Sequence, residues 1–133
     1  MGALKFYVGV TDNNWFTYLK NIQPDEVNFW QPSGTRRFRV LKPYELFLFK
    51  LHSPLNYITG GGFFVSHSIL PASLAWDAFN TKNGAPNFRS FLNTILDYKK
   101  SNGEVDPDPK IGCIVLTQPF FFEEKDWLPI PKD

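Results

Sequence analysis

The sequence has little of three things that define whole classes of protein: cysteine, net charge and long apolar runs. Its single cysteine, Cys113, can form neither an internal disulfide nor a cysteine-built zinc site, which favours a reducing, cytoplasmic setting. A formal net charge of +1 excludes an acidic tail and a surface that is basic all over. No apolar run approaches the roughly 20 residues that cross a bilayer, and no signal peptide is recognisable, so we expect no membrane association.

Aromatic residues and turn formers are abundant instead. Trp, Tyr and Phe make up 17% of the 133 residues, and 11 prolines and 9 glycines are spread along the chain. This length suffices for one core, and neither a repeat nor an internal linker divides it. We therefore expect residues 1–133 to form one domain of short elements. The ending Trp127-Leu128-Pro129-Ile130-Pro131 is typical of a domain exit, so we expect a longer parent protein.

Hydrophobic periodicity and turn signals predict the element order β-α-β-β-β-α-α-β. Helices are predicted at 15–22, at 74–79 with Ser73 as its cap, and after the cap Asn87, where five apolar residues share one face: Phe88, Phe91, Leu92, Ile95 and Leu96. The predicted strands are 5–10, 27–30, 46–51, 57–70, and 111–116 with 120–122 after a bend at Pro119.

The triple glycine 60–62 predicts a bulge in its strand, or a place where another backbone or a ligand comes close. Strand 46–51 is apolar on both faces, which predicts a central position. The order predicts an α+β domain with a strongly twisted, barrel-like sheet.

No catalytic centre stands out in the sequence. His52 and His67 are expected on adjacent strands, without the spacing of a metal site. Cys113 lies in an apolar run, where a buried, inert thiol is expected. The triple glycine lacks the Lys-Ser/Thr of a phosphate loop. We expect no catalytic residue, no metal and no cofactor in this chain.

Three segments at predicted element boundaries combine hydrogen-bonding side chains with a ring or a proline: 13–15, 28–34 and 50–54. Boundary segments of neighbouring strands meet at one rim of a sheet. Rings that stack on a π-face, with polar groups that bind the edge, are what recognition of a flat heterocycle requires. The alternative for each tryptophan is a place in the core. The candidates are Trp30, Trp15, Asn13, Gln31, Ser33, His52 and Ser53.

A basic cluster lies in the first half of the chain. Residues 1–70 contain seven Lys/Arg and four Asp/Glu, whereas residues 71–133 contain seven and nine. A compact basic patch on a near-neutral body can bind a few phosphates, although a solvated loop with incidental charge is the alternative. The candidates for contacts with a nucleic-acid backbone are Arg36, Arg37, Arg39 and Lys50.

Several segments match a known family. Residues 6–8 and 27–30, the strand 46–53 ending in Leu51-His52-Ser53, and the segment 58–64 together resemble the EVE domain of the PUA-like superfamily, which also holds YTH and SRA modules. More closely, segments 9–15, 27–34, the triple-glycine strand and 111–113 resemble the N-terminal domain of bacterial EVE-HNH endonucleases directed at modified DNA. The pattern departs from the family after Leu70, where a long insertion brings its own helices.

This resemblance implies a PUA-like fold, a strongly twisted mixed sheet or partial barrel flanked by helices. It implies a reader domain that flips and senses a modified cytosine, 5-methylcytosine or 5-hydroxymethylcytosine, in double-stranded DNA, while a C-terminal HNH domain cuts. In that family the base lies in an aromatic pocket, which makes Trp30 the first and Trp15 the second expected stacking wall. His52 and Ser53 match the family's His-Ser pair, which implies hydrogen bonds to the base edge or a phosphate.

Three alternatives remain open at this point. One is an RNA or methyladenine reader of the same superfamily. Another is a small metal-dependent nuclease, in which Asp108, Glu123 and Lys125 hold magnesium and position water. The last is a protein-interaction domain whose aromatic residues form a docking face.

Overall fold

The computed structural model describes residues 5–100 and 106–130. Its strands are β1 (Phe6–Thr11), β2 (Glu26–Gln31), β3 (Leu46–Leu51), β4 (Tyr57–Pro71), β5 (Lys110–Phe121) and β6 (Leu128–Pro129). Its helices are α1 (Asn13–Ile22), α2 (Ala72–Phe79) and α3 (Phe88–Lys100), with short 3₁₀ turns at Asn80–Asn83 and Glu124–Asp126. The predicted order of elements is confirmed, with β6 and the two 3₁₀ turns in addition.

The strands form one twisted sheet that does not close. Among the described residues the strand order is β1-β3-β4-β5-β2, with β6 on β4, and only the β1–β3 pair is parallel. The outer strands β1 and β2 approach each other without pairing: a Cβ on Gly9 of β1 would lie 3.1 Å from the Phe29 ring of β2. The sheet is therefore a partial barrel with a gap between β1 and β2.

Helices cover the two faces of this sheet at different places. On one face α1 contributes Trp15, Phe16 and Leu19 to a core that includes Phe29, Phe47, Phe49 and Phe64 from the strands. On the other face α2 and α3 enclose a smaller core of Ala72, Ala75, Phe91, Ile95, Ile111 and Cys113. Strand β5 supplies residues to both cores, because Ile114 and Leu116 alternate with Ile111 and Cys113.

The prediction for strand β3 is right about its position and wrong about its faces. It lies between β1 and β4, but Phe47, Phe49 and Leu51 are buried while the alternate residues remain partly exposed. The strand buried on both faces is β5, whose residues Ile111–Leu116 are all buried. The difference arises because α2 and α3 cover the outer face at β5 and leave it open at β3.

The helix caps agree with the sequence in one case and differ in the other. Asn87 caps α3 as expected, since its Oδ1 accepts the Ser90 N–H at 2.9 Å. Ser73 does not cap α2, which begins one residue before it, at Ala72. Instead the Asp108 carboxylate accepts the Ser73 N–H at 2.9 Å and the Ser73 hydroxyl at 2.6 Å. A residue 35 positions away in the chain thus accepts the hydrogen bonds at the start of α2. No local sequence pattern indicates this contact.

The triple glycine has both of the predicted features. A Cβ on Gly60 would overlap the Phe120 carbonyl oxygen, and one on Gly61 would lie 2.5 Å from the Phe47 carbonyl oxygen. The pairing register of β4 with β5 shifts between Gly61 and Phe63, which is the predicted bulge.

The predicted bend near Pro119 lies one residue earlier, at Gln118, where φ is 50°. Strand β5 continues through this bend to Phe121.

No helix within residues 5–100 and 106–130 is long and apolar enough to cross a membrane.

Candidate functional site

Two open clefts flank the ring pair Trp30 and Tyr98. The strand cleft, about 450 Å³, lies in the gap between β1 and β2. The helix cleft, about 440 Å³, lies between the start of α1, residues 83–85 and α3. Four residues line both clefts: Asp12, Trp15, Trp30 and Tyr98.

The strand cleft exists because the sheet is open. Residues 7–11 of β1 form one side, and the end of β2 with the turn after it forms the other. In the described sheet β1 pairs only with β3 and β2 only with β5, so each strand leaves one backbone edge toward the gap. Such edges carry N–H and C=O groups that can bind a ligand.

Asp12 makes the turn from β1 into α1 that brings Trp15 under the clefts. Its Oδ1 accepts the N–H of Asn14 at 2.8 Å and of Trp15 at 3.3 Å. An aspartate at this position is a strong N-cap, which is why α1 starts directly after the strand.

Trp15 forms the floor of both clefts. Its side chain is only 6% exposed, and its indole N–H donates to the Asn28 carbonyl oxygen at 3.3 Å. Its ring meets the rings of Phe29 and Phe49 edge-on at 5.6 and 5.2 Å. Gly84 packs so closely that a Cβ there would overlap the indole. Trp15 is therefore held in the core and offers little free ring surface.

Trp30 forms the wall between the clefts. It is half-buried near the end of β2, on the side that faces α3. Its ring stands nearly perpendicular to those of Phe91 and Tyr98, at 5.8 and 6.0 Å between centroids. These contacts support the ring while part of its surface stays open to each cleft.

Polar groups lie at the β2 end of the strand cleft. Gln31 lines it from the end of β2, Ser33 and Arg36 from the segment after β2, and His52 from the residue after β3. The Ser33 hydroxyl accepts the N–H of Arg36 at 3.2 Å, which shapes the turn that carries the basic side chains. The strand cleft thus combines a ring wall, hydrogen-bonding groups and one guanidinium.

The structure brings six of the sequence-derived candidates together at the strand cleft: Trp30, Trp15, Gln31, Ser33, His52 and Arg36. The other five lie outside its lining: Asn13, Ser53, Arg37, Arg39 and Lys50. Asn13, Ser53, Arg37 and Arg39 are all exposed. The Lys50 ammonium donates to the Asn56 side chain at 2.7 Å and to the Leu51 carbonyl oxygen at 3.2 Å, so it is occupied within the β3–β4 turn.

Sequence reasoning missed Tyr98 and Asp12, which line both clefts. The Tyr98 hydroxyl lies 3.5 Å from the Asp12 Oδ2. Burial, followed by the nearby Asp12 charge, raises the pKa of Tyr98, so its hydroxyl remains a donor at neutral pH. The available signal was helical spacing, because Tyr98 lies seven residues after the buried Phe91 and so shares its face of α3.

His67 lies on β4, close enough to the segment after β2 that the charge of Arg37 acts on it. Burial and then the positive charge of Arg37 lower the pKa of His67, which favours the neutral form of the ring. Its Nε2 is buried and has no hydrogen-bond partner among the described residues. Gly112 packs beside this nitrogen, where a Cβ would lie 3.2 Å away.

The residues of the nuclease alternative do not converge. Asp108 is bound to Ser73, and Glu123 forms an ion pair with Lys20 at 3.1 Å. The 12-residue strand β5 lies between the two residues in the chain, and each carboxylate binds a partner in a different helix. Within the described residues no three His, Cys, Asp or Glu side chains are grouped as metal ligands.

Cys113 is buried as expected, and burial raises the pKa of its thiol.

No protein-family model matches the sequence, and a search of curated proteins finds no match. Among solved structures, the ASCH protein of Zymomonas mobilis is similar at a TM-score of 0.51 and 13% identity, over 84% of this chain and 69% of that one. Two crystal structures of point mutants of that protein are similar at a TM-score of 0.54 and 10% identity, over 84% of this chain and 70% and 68% of theirs.

At this identity the similarity concerns the fold. The mixed α+β architecture with a twisted, unclosed sheet is that of the PUA-like domains, of which ASCH domains are the structural neighbours found here. The PUA-like fold expected from the EVE resemblance is therefore confirmed.

Proposed function

We propose that this domain binds nucleic acid and recognises a modified cytosine, flipped out of double-stranded DNA, in the strand cleft. The observation that carries the proposal is the gap between β1 and β2, which joins a ring wall to polar side chains and open strand edges. Its volume of about 450 Å³ falls within the about 300–1,000 Å³ typical of small-ligand sites.

The chemistry of this cleft suits a flat heterocycle. Trp30 offers ring surface for stacking, which contributes about 1–3 kcal/mol per base in other nucleic-acid complexes. The side chains of Gln31, Ser33 and His52 supply donors and acceptors for the base edge. A base can reach such a cleft only after leaving the duplex stack.

The charges around the cleft suit a small contact with DNA. Arg36 lines the cleft, and Arg37 and Arg39 are exposed in the segment that follows Arg36 along the chain. Three guanidinium groups can bind the distorted backbone next to a flipped base, while the net charge of +1 keeps binding local.

Discrimination between bases requires more than apolar contact. Burial of one methyl group contributes only about 1 kcal/mol, which is less than a tenfold preference. The site would therefore distinguish 5-methylcytosine by shape, or 5-hydroxymethylcytosine by a hydrogen bond to its hydroxyl.

The resemblance to EVE-HNH enzymes supports a role in a modification-dependent restriction system. In this proposal residues 1–133 are the cytoplasmic recognition domain, and a C-terminal HNH domain of a longer parent cuts the DNA.

Titration of matched duplexes tests the proposal. Duplexes with cytosine, 5-methylcytosine or 5-hydroxymethylcytosine at one position are compared at fixed salt, next to N6-methyladenine duplexes and single-stranded RNA. We expect at least about tenfold tighter binding of one modified-cytosine duplex. Equal affinity for modified and unmodified duplexes would overturn the proposal. A preference for methyladenine or RNA would replace modified cytosine by that ligand.

Substitutions at Trp30 test the position of the site. Trp30→Leu should remove the preference for the modified base while Trp30→Phe keeps part of it, because only the phenylalanine retains a ring. Tyr44→Leu is the matched control, since this ring is 76% exposed and lies outside both clefts. Thermal melts verify folding, and a folded Trp30→Leu protein with unchanged preference would place the base elsewhere.

A further inference from the structure

The helix cleft differs in charge from the strand cleft on the other side of Trp30. Asp12 lines both clefts, but the strand cleft also contains Arg36 and His52, whereas the helix cleft adds the carboxylate of Asp97 and, among the described residues, no lysine or arginine. Phosphates of a nucleic acid are therefore repelled from the helix cleft. Its ligand must have a different chemistry from that of the strand cleft.

Both carboxylates retain capacity for a ligand. Asp97 is exposed on α3 and takes part in no ion pair or hydrogen bond within the described residues. Asp12 uses Oδ1 to cap α1, and its Oδ2 has only a long contact of 3.5 Å with the Tyr98 hydroxyl. Within the described residues, the cleft therefore offers negative charge that no ion pair neutralises.

Aromatic rings form a large part of the remaining lining of the helix cleft. Trp30 meets Phe91 at an interplanar angle of 87° and Tyr98 at 77°. Rings arranged at right angles beside carboxylates form the kind of corner in which proteins hold organic cations, because ring faces carry partial negative charge. The Thr94 hydroxyl and the Asn14 side chain add hydrogen-bond acceptors.

We propose that the helix cleft is a binding site for an organic cation, whose ammonium or guanidinium group lies between Asp12 and Asp97 against the rings of Trp30 and Tyr98. The volume of about 440 Å³ accommodates such a group together with several carbons of its alkyl chain. The cation comes either from a small free amine or from a lysine or arginine side chain, and both present the same group. The proposal is independent of the function of the strand cleft.

Titration of the ¹⁵N-labelled chain without nucleic acid tests this proposal. Agmatine is the small-amine probe, N-acetylarginine amide is the side-chain probe, and pentanamide is the neutral control, all at constant ionic strength. We expect saturable shifts of the Trp30 indole N–H and of amides near Asp97, with a Kd on the order of 1 mM. Binding of agmatine alone assigns the site to a free amine, and binding of the arginine amide assigns it to a polypeptide side chain.

Substitution of the unpaired carboxylate provides the matched comparison. Asp97→Asn keeps the size of the side chain and should weaken binding about fivefold, because the exposed carboxylate is lost. Asp77→Asn, an exposed acid on α2 outside both clefts, should leave the Kd unchanged. The proposal is wrong if neither cation produces saturable shifts, if pentanamide produces the same shifts, or if Asp97→Asn binds as tightly as the parent chain.

Discussion

Trp15 and Trp30 are the same type of residue, but they have different roles because their surroundings differ. Both line the two clefts, yet Trp15 has its N–H bonded to Asn28 and its ring held between Phe29 and Phe49. Trp30 is supported by α3 and keeps part of its ring accessible. Loss of Trp15 should therefore affect stability first, and loss of Trp30 should affect binding first.

His67 should make stability depend on pH. Its pKa in the folded chain is lowered by burial and by Arg37, so the unfolded chain binds a proton more readily than the folded one. The free energy of unfolding should then be highest above the unfolded pKa of about 6.5 and fall as the pH drops through the lower folded pKa.

Urea unfolding between pH 5.0 and 7.5 measures this effect of His67. His67→Asn should remove much of the decrease, while His52→Gln, which keeps His67, should retain it. An identical decrease in the parent chain and in His67→Asn would mean that other groups cause it.

At the scale of elements, an amide network joins β2 to the turn after α2. The Asn28 side-chain N–H donates to the Asn83 Oδ1 at 2.8 Å, and the Asn83 side-chain N–H groups donate to the carbonyl oxygens of Ala75 and Asn80 at 3.0 Å each. Both asparagines are buried. The network holds residues 83–85 against Trp15, so it also shapes one side of the helix cleft.

Asn83→Ala should cost about 2–4 kcal/mol of unfolding free energy. It removes the buried acceptor of the Asn28 side-chain N–H and the amide donor to the carbonyl oxygens of Ala75 and Asn80, and a buried polar group left without its partner costs about 1–3 kcal/mol before the structure relaxes. Chemical denaturation measures the loss. Asn93→Ala, at an exposed position on α3, is the control and should change stability by less than about 0.5 kcal/mol. A cost below about 1 kcal/mol for Asn83→Ala would mean that the network contributes little.

Elements also show where sequence patterns stop being informative. Strand 46–51 is as apolar as 111–116, and both patterns predict burial. Only the second is buried on both faces, because α2 and α3 lie over it. Periodicity describes the strand itself, whereas the number of covered faces depends on elements distant in the chain.

At the scale of the molecule, the open gap between β1 and β2 should appear in amide exchange. Strand β5 is paired on both sides, whereas β1 is paired on one. Hydrogen exchange followed by NMR should be slowest for residues 111–116, and at least about tenfold faster for the β1 amides that face the gap. A ligand in the strand cleft should slow these β1 amides. Equal protection of β1 and β5 in the free protein would show that the sheet is closed in solution.

The order of elements, the Asn87 cap, the buried Cys113 and the glycine-rich strand follow from local patterns along the chain. They can be predicted because each depends on residues a few positions apart. The same holds for the polar and aromatic composition of segment 28–34, which pointed to Gln31 and Ser33 beside Trp30.

The clefts themselves depend on contacts between distant segments. Tyr98 meets Trp30 only because α3 packs on β2, and Asp12 meets Tyr98 across 86 positions. The sheet remains open because β1 pairs with β3 and β2 with β5, and this pairing depends on how the helices cover the strands. Packing of that kind joins residues that no local sequence pattern connects, so only the tertiary structure places the Trp30 ring between the strand cleft and the acidic helix cleft.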